Sequence, residues 1–342
     1  MVTREDVAKK AGVSVSAVSR TMNRRGYVAK DKKEAIYKAV NELGYRANPL
    51  SSSLKNGQTY QLCFLDVDIS NSFYIEVFKY LAFYAEKRGY QLFLLSSFNM
   101  EKMNTMLMDG MIIEDEATAS AMQKLMGENI LLPLVSLSYG VPIIRTKNIP
   151  YVDVDTYDAM EMAIAYLKEM GHKKIAYATP YSKVINKTVQ SRYVAYENIM
   201  KEELGKRYLD YIIISEGKEQ MRKSFDNENY FEEGMRGAEE FHRRKLDATA
   251  IICFNDEFAL GFISRLKQMK YKIPKDISVM GIDGIQNRKY TIPLLTTISL
   301  NAEAQAKVCI DVIIDLIEDK TVSQFTSVKP CLLKGESVKR LR

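Results

Sequence analysis

Ser16 and Arg20 stand four residues apart in the stretch DVAKKAGVSVSAVSRTMN (6–23), so on a helix they share one face. A guanidinium on such a face presents two parallel N–H donors, the geometry that matches O6 and N7 on the edge of a guanine. Val15 beside them offers a surface for a thymine methyl. Ser14, Ser19 and Asn23 are short polar residues suited to phosphate oxygens, and Tyr27 joins them as a candidate contact. The chemistry implied is recognition of a duplex: base edges read by one helix, with phosphates held around it.

Other chemistries lack their parts. The four cysteines (Cys63, Cys253, Cys309, Cys331) are far apart, form no CxxC pair and are joined by two histidines only, His172 and His242. That set does not make a zinc site, so no metal is expected. No GxxxxGK phosphate loop, no GxGxxG after a strand and no GxSxG elbow occurs, so neither a cofactor nor a catalytic residue is assigned. The acidic run Glu114, Asp115, Glu116 reads as a solvated loop.

Three elements must position the recognition residues. Thr3 and Asp6 have capping-box spacing for a helix starting near Arg4, with Val7, Ala8 and Ala11 as its apolar face. Gly12 ends it and Ser14 caps a second helix with Val15, Val18 and Met22 along one side. Asp31 and Glu34 repeat the capping-box spacing for a third helix, closed by Gly44. Charge agrees with this reading. Residues 1–60 hold 12 Lys and Arg against 5 Asp and Glu, a local excess of +7 that exceeds the +6 of the whole 342-residue chain. A basic module on a neutral body is the electrostatic footprint of a polyanion-binding protein.

Residues 47–60 (ANPLSSSLKNGQTY from 47) read as a linker in which Leu54 stands out as a large apolar residue between Ser53 and Lys55. From residue 61 apolar runs alternate with amphipathic helices, at 61–67, 90–95, 111–113, 131–137, 174–178, 211–215, 249–254 and 277–282. Such alternation predicts parallel sheets with helices on both faces, and its length suits two lobes with a crevice between them. The polar start predicts no secretory signal and no run is long enough for a membrane span, so a cytoplasmic protein with reduced thiols is expected.

The chain resembles the LacI/GalR family of transcriptional regulators. The resemblance rests on DVAKKAGVSVSAVSRTMN (6–23) and ELGYRANPLSSSL (42–54), then on DGMII (109–113), YVDVDTYDA (151–159), YLKEMGHKKIAYA (166–178), AIICFNDEFALGF (250–262), IPKDISVMGIDG (273–284) and PLLTTISLN (293–301). It implies an α/β protein: a three-helix helix-turn-helix headpiece at 1–46, a hinge at 47–60 and a periplasmic-binding-protein-like core at 61–342. Lobe one is expected at about 61–154 and 286–316, lobe two at about 155–285 and 317–342. It further implies a homodimer on pseudo-palindromic operator DNA, with Leu54 as a minor-groove wedge. Ser51 and Ser52 replace the Ala-Arg pair common in the family, which weakens the hinge helix. The segment 96–108 is too short for the helix many members carry there.

The same resemblance implies a small-molecule effector, a sugar by its contacts, held between the lobes by Phe73, Tyr74, Arg192, Tyr230 (or Phe231), Asn255 and Asp283, with Asp256 beside them. Aromatic faces and Asn/Asp groups suit a ring with vicinal hydroxyls. Three other readings stay open: a core gated by a partner protein, a non-regulatory sugar-binding protein, and an enzyme on the α/β core.

Overall fold

In the computed structural model the local signals of the first 45 residues produce three helices. Thr3 Oγ1 accepts from the Asp6 amide at 3.2 Å, and the Asp6 carboxylate accepts from the Thr3 amide at 2.8 Å, closing the box that starts α1 (Arg4–Ala11). Gly12, at φ 64°, ends it in the left-handed region that a side chain would resist. Ser14 Oγ accepts from the Ala17 amide at 3.2 Å at the start of α2 (Val15–Met22). α3 (Lys30–Leu43) begins two residues earlier than its sequence spacing predicts. Ala29 holds the cap position with no side-chain cap, and Asp31 sits inside the first turn, where its charge suits the helix dipole.

Val7, Ala8, Ala17, Val18, Ile36, Ala39 and Tyr45 form the headpiece core. α2 buries Ala17, Val18 and Thr21, not the expected Val15–Val18–Met22 stripe. Small Ala17 lets α2 approach its neighbours closely, and Val15 turns outward, 42% exposed.

The structure describes residues 2–22, 26–45, 57–66, 71–97, 99, 106–127, 132–140, 146, 148–181, 191–215 and 230–341. They fall into two compact units, Met1–Thr59 and Tyr60–Arg342. The expectations for Asn23, Leu54, Ser51, Ser52 and most of 96–108 lie outside the described residues.

The second unit contains two sheets. The first takes β1 (Gln61–Leu65), β2 (Gln91–Leu95), β3 (Gly110–Ile113), β4 (Leu134–Ser138), β5 (Tyr151–Asp153) and β11 (Phe325–Ser327), in the order β11-β5-β4-β3-β1-β2, all parallel. The second takes β6 (Ile175–Thr179), β7 (Ile212–Ile214), β8 (Ala250–Cys253), β9 (Ser278–Asp283), β10 (Thr296–Ser299) and β12 (Cys331–Leu333), in the order β12-β10-β9-β8-β6-β7, parallel except for β12.

The helices are α4 (Ser72–Lys87), α5 (Glu116–Met126), α6 (Thr156–Glu169), α7 (Ser191–Leu204), α8 (Tyr230–Arg244), α9 (Asp256–Gln268) and α10 (Ala302–Ile317). α4 and α10 pack together in lobe one, tied by Tyr84 to Glu303 and Arg88 to Asp311. α8 and α9 pack in lobe two.

The lobes divide the last third of the chain differently from the sequence expectation. β10 pairs with β9, so 296–299 belongs to lobe two, while β11 pairs with β5, so 325–327 belongs to lobe one. The chain crosses between sheets at each of these short strands. No helix among the described residues is long and apolar enough to cross a membrane, and no group of three or more His, Cys, Asp or Glu among them could hold a metal ion.

The acidic run is a second correction. Glu114 and Glu116 are buried, and Asp115 caps α5 by accepting from the Thr118 amide at 2.7 Å. The run marks the junction of β3 with a helix that the sequence reading passed over, so its carboxylates point into the protein.

Candidate DNA-contact face and ligand crevice

On the headpiece, the capped start of α2 leaves Ser14, Val15, Ser16 and Arg20 exposed, with Ser19 half-buried. Ser14 Oγ lies 2.9 Å from Ser16 Oγ and caps the helix, so its first task is to hold α2. Arg20 folds along the helix, its Nε donating to the Ser16 carbonyl at 3.4 Å. Gly26, at φ 75°, lies under the Arg20 stem, and a Cβ there would come within 3.3 Å of Arg20 Cδ. Tyr27 is 86% exposed. The structure thus gathers Ser14, Val15 and Ser16 at the exposed N-terminal end of one helix, the end that a major groove admits, while Arg20 stands in its last turn and reaches back to Ser16.

In the core, lobe one contributes an aromatic group. Asn71 Oδ1 accepts from the Phe73 amide at 3.0 Å and starts α4, which places Phe73 and Tyr74 just beyond the exit of β1. Their rings meet Tyr139, at the exit of β4, with centroids 5.8 and 6.0 Å away. Tyr139 escaped the sequence reading, although an aromatic residue at the end of the apolar run PLVSLSY is the signal that would have found it.

Tyr139 is held on several sides. Its amide donates to Glu116 Oε1 at 2.8 Å, and its hydroxyl donates to Gln305 Oε1 at 3.4 Å. Its carbonyl accepts from Thr156 Oγ1 at 2.9 Å and Ser191 Oγ at 3.3 Å, both from lobe two. Burial, with the Glu116 carboxylate adding to it, raises the Tyr139 phenol well above its ordinary range and keeps it protonated.

Below the ring, Ser138 Oγ lies 2.5 Å from Glu116 Oε1 and 2.6 Å from Asp153 Oδ1. One hydroxyl proton cannot serve two carboxylates fully, and burial pushes Glu116 up to about 6. Glu114 goes further, up to about 9, through burial and a hydrogen bond shared with Asp66; Thr118 Oγ1 also donates to it at 3.0 Å.

Lobe two brings Arg192, Tyr230, Asn255 and Asp283 to the ends of its strands. The Arg192 guanidinium lies 4.6 Å from the Phe254 ring centroid, its Nη1 donates to the Phe254 carbonyl at 2.7 Å, and its Nη2 is 3.6 Å from Asp283 Oδ1. Its Nε is buried without a hydrogen-bond partner among the described residues. Burial raises the Asp283 carboxyl well above its usual range, with Arg192 opposing the shift.

Tyr230 stacks near Phe254 at 5.6 Å and its hydroxyl lies 3.1 Å from that of Tyr181. Tyr181 and Phe254 are therefore further members of this wall. Asn255 has a structural duty: its Oδ1 caps α9 by accepting from the Phe258 amide at 2.8 Å, leaving Nδ2 as the group able to donate outward. Asp256 is withdrawn from the crevice altogether. It is fully buried and accepts from the Gly284 and Ile285 amides at 2.8 and 2.9 Å and from Thr297.

Comparison with known proteins agrees with this architecture. Residues 3–48 match the family "Bacterial regulatory proteins, lacI family", and residues 164–338 match the "Periplasmic binding protein-like domain". The transcriptional repressor PurR of Haemophilus influenzae (strain PittEE) is 27% identical over 355 residues, covering 100% of both chains. The structure of a lac repressor dimer bound to operator and the anti-inducer ONPF superposes with a TM-score of 0.71 at 19% identity, over 99% of each chain. A CelR–cellobiose complex superposes with a TM-score of 0.63 at 21% identity, over 98% of this chain and 100% of that one. The chain belongs to the LacI family of bacterial regulatory proteins, with a DNA-binding helix-turn-helix ahead of a two-lobed periplasmic-binding-protein-like core.

Proposed function

We propose that the protein is a homodimeric transcriptional repressor whose operator affinity is set by a small polyhydroxy ligand, a sugar or sugar derivative, bound between the core lobes. The observation that carries this reading is the pairing of two aromatic walls, Phe73–Tyr74–Tyr139 and Tyr181–Tyr230–Phe254, with the Arg192–Asp283 pair. Rings take the faces of a sugar, while a guanidinium and a carboxylate take its hydroxyls. Relatives named as repressors, and neighbours solved with cellobiose or ribose, support the same class.

In operation, Arg20 and Val15 read base edges, Ser16 and Ser19 add short polar contacts, and Leu54 wedges the minor groove. The linker enters lobe one directly at β1, so a change in the angle between the lobes reaches the hinge. A ligand alters operator affinity only by favouring one lobe arrangement over the other. Exposed Phe83, Phe93 and Leu94 of lobe one, with Tyr290 and Ile292 of lobe two, are the surface assigned to the second copy. Neither step requires catalysis, and both take place in the cytoplasm, where the DNA is.

Titration calorimetry against a sugar panel, followed by operator-binding anisotropy with each binder, tests the reading. A sugar that releases heat on the wild type, not on Arg192→Ala, and shifts operator affinity is the expected result. A core silent to every small molecule, but shifted by a partner protein, would contradict it.

A further inference from the structure

Three consecutive amides at the exit of β9 are bound by carboxylates of two different lobes. Asp283 and Gly284 have φ of 124° and 82°, which turns the N–H groups of Gly284, Ile285 and Gln286 in sequence away from the sheet. The turn is held tightly, since a Cβ on Gly284 would lie 2.5 Å from the Ser299 side chain. Asp256, from the same lobe, takes the first two amides. The third begins the 3₁₀ turn Gln286–Tyr290, whose cap residue, Ile285, supplies no side chain to it. Glu76 Oε1, from α4 of lobe one, accepts that Gln286 N–H.

Glu76 is 8% exposed; burial raises its carboxyl above the usual range, opposed by the Gln286 hydrogen bond and then by Lys79 and Lys289. The rest of the turn is anchored within lobe two, where Arg288 Nη1 donates to the Leu295 carbonyl at 2.7 Å. Among the described residues, Glu76 is therefore the point at which a side chain of lobe one holds the backbone of this turn. It lies one helical turn beyond Phe73, while Gln286 follows Asp283 by three residues. One hydrogen bond thus links the helix bearing the aromatic wall to the turn bearing the charged partner of Arg192.

We propose that Glu76 is a positioning residue that acts as an interlobe latch, fixing the Asp283 turn of lobe two against α4 of lobe one in the closed core. When the lobes part, water replaces the contact on both sides. When they close, burial makes the bond costly to leave unmade. The set of the crevice, and through it the angle sensed at the hinge, depends on this carboxylate. The proposal rests on the two-lobed core and not on which ligand the crevice takes, and its test needs no ligand.

The test uses the full-length protein in a Cys331→Ser background, with nitroxide labels at Glu86→Cys in lobe one and Lys206→Cys in lobe two, both exposed positions. Electron-resonance distances report closure, and residue-resolved amide exchange reports the Gln286 N–H. Glu76→Ala is expected to lengthen and broaden the distance distribution and speed Gln286 exchange at least ten-fold, while Gly284 and Ile285, held by Asp256, change less than three-fold. Glu76→Gln keeps an acceptor oxygen and is expected to restore both readouts to within about three-fold of wild type. If Glu76→Ala does not fold, Glu76→Asp, too short to reach, should show the same opening. Unchanged distances, or a Gln286 amide exchanging at the wild-type rate in either shortened variant, overturn the latch.

Discussion

Arg20 and Glu114 mark the two extremes of what a residue shows in isolation. Arg20 was legible because helical periodicity alone places it on a face with Ser16, and the structure leaves that face exposed. Arg20→Ala is expected to cost about 1–3 kcal/mol of discrimination between cognate and random duplexes, while most of the salt-dependent, non-specific affinity remains. Anisotropy titrations on both duplexes at two salt concentrations check this, and equal losses on both would remove Arg20 from base reading. Glu114 is opaque in the sequence, because an acidic triplet looks solvated until the short helix behind it is known. Its folded-state carboxyl is pushed up to about 9, far above the unfolded value. The folded protein therefore holds a proton that the unfolded chain has lost, and stability falls as pH rises from about 4.5 toward 9. The limiting slope is about 1.4 kcal/mol per pH unit. Urea midpoints at pH 6 and pH 8.5 should differ more for wild type than for Glu114→Gln, and equal differences would contradict a buried, protonated Glu114. Asn255 and Asp256 show a third case: a carboxylate or amide after a strand is chosen by type, yet only the neighbouring amides reveal whether it faces a ligand or caps a turn.

Among elements, the helices of the headpiece and the long strand–helix repeats were readable from caps and periodicity. The short ones were not. β11 and β12 have three residues each, too few to display alternation, and β10 buries Thr296 and Thr297 where apolar residues would have announced a strand. α5 is hard to read because EATASAMQKLM offers only two buried apolar residues, Ala119 and Met122, beside a buried Glu116. The approach of α8 to α9 was equally silent, since it depends on what glycine lacks. A Cβ on Gly261 would lie 1.8 Å from the Phe231 carbonyl oxygen, and one on Gly234 would lie 2.0 Å from that of Phe258. Gly261→Ala must therefore push the two helices apart, at a cost of about 1–3 kcal/mol or more. A thermal melt of the full chain should show a fall of several degrees, and an unchanged midpoint would show that the helices separate freely. In the headpiece, Ser14→Ala should destabilise α2 by about 1 kcal/mol. Faster amide exchange at Ala17 is the expected sign, because its N–H loses the Ser14 Oγ acceptor at 3.2 Å and keeps only the Ser14 carbonyl at 2.9 Å.

For the molecule as a whole, charge and order of elements carried most of the account. A basic first sixth followed by two sheets, parallel but for β12, is the arrangement of a DNA-binding module on a ligand-binding core. What the sequence could not display is where the lobes touch, because Tyr139 with Thr156 and Ser191, and Glu76 with Gln286, are pairs brought together only by the crossings between sheets. The proposed dimer should appear in sedimentation at micromolar concentration, and Tyr290→Asp with Ile292→Asp, both at exposed apolar positions, should shift it toward monomer. The central claim is that this dimer reads a specific symmetric sequence through α2. Selection of binding sites from a random duplex pool by the full-length protein tests it most directly. An enriched pseudo-palindrome with two half-sites, lost when the selecting protein carries Arg20→Ala, is the expected result. A pool that stays random with the wild type, or an identical motif with the variant, would contradict it.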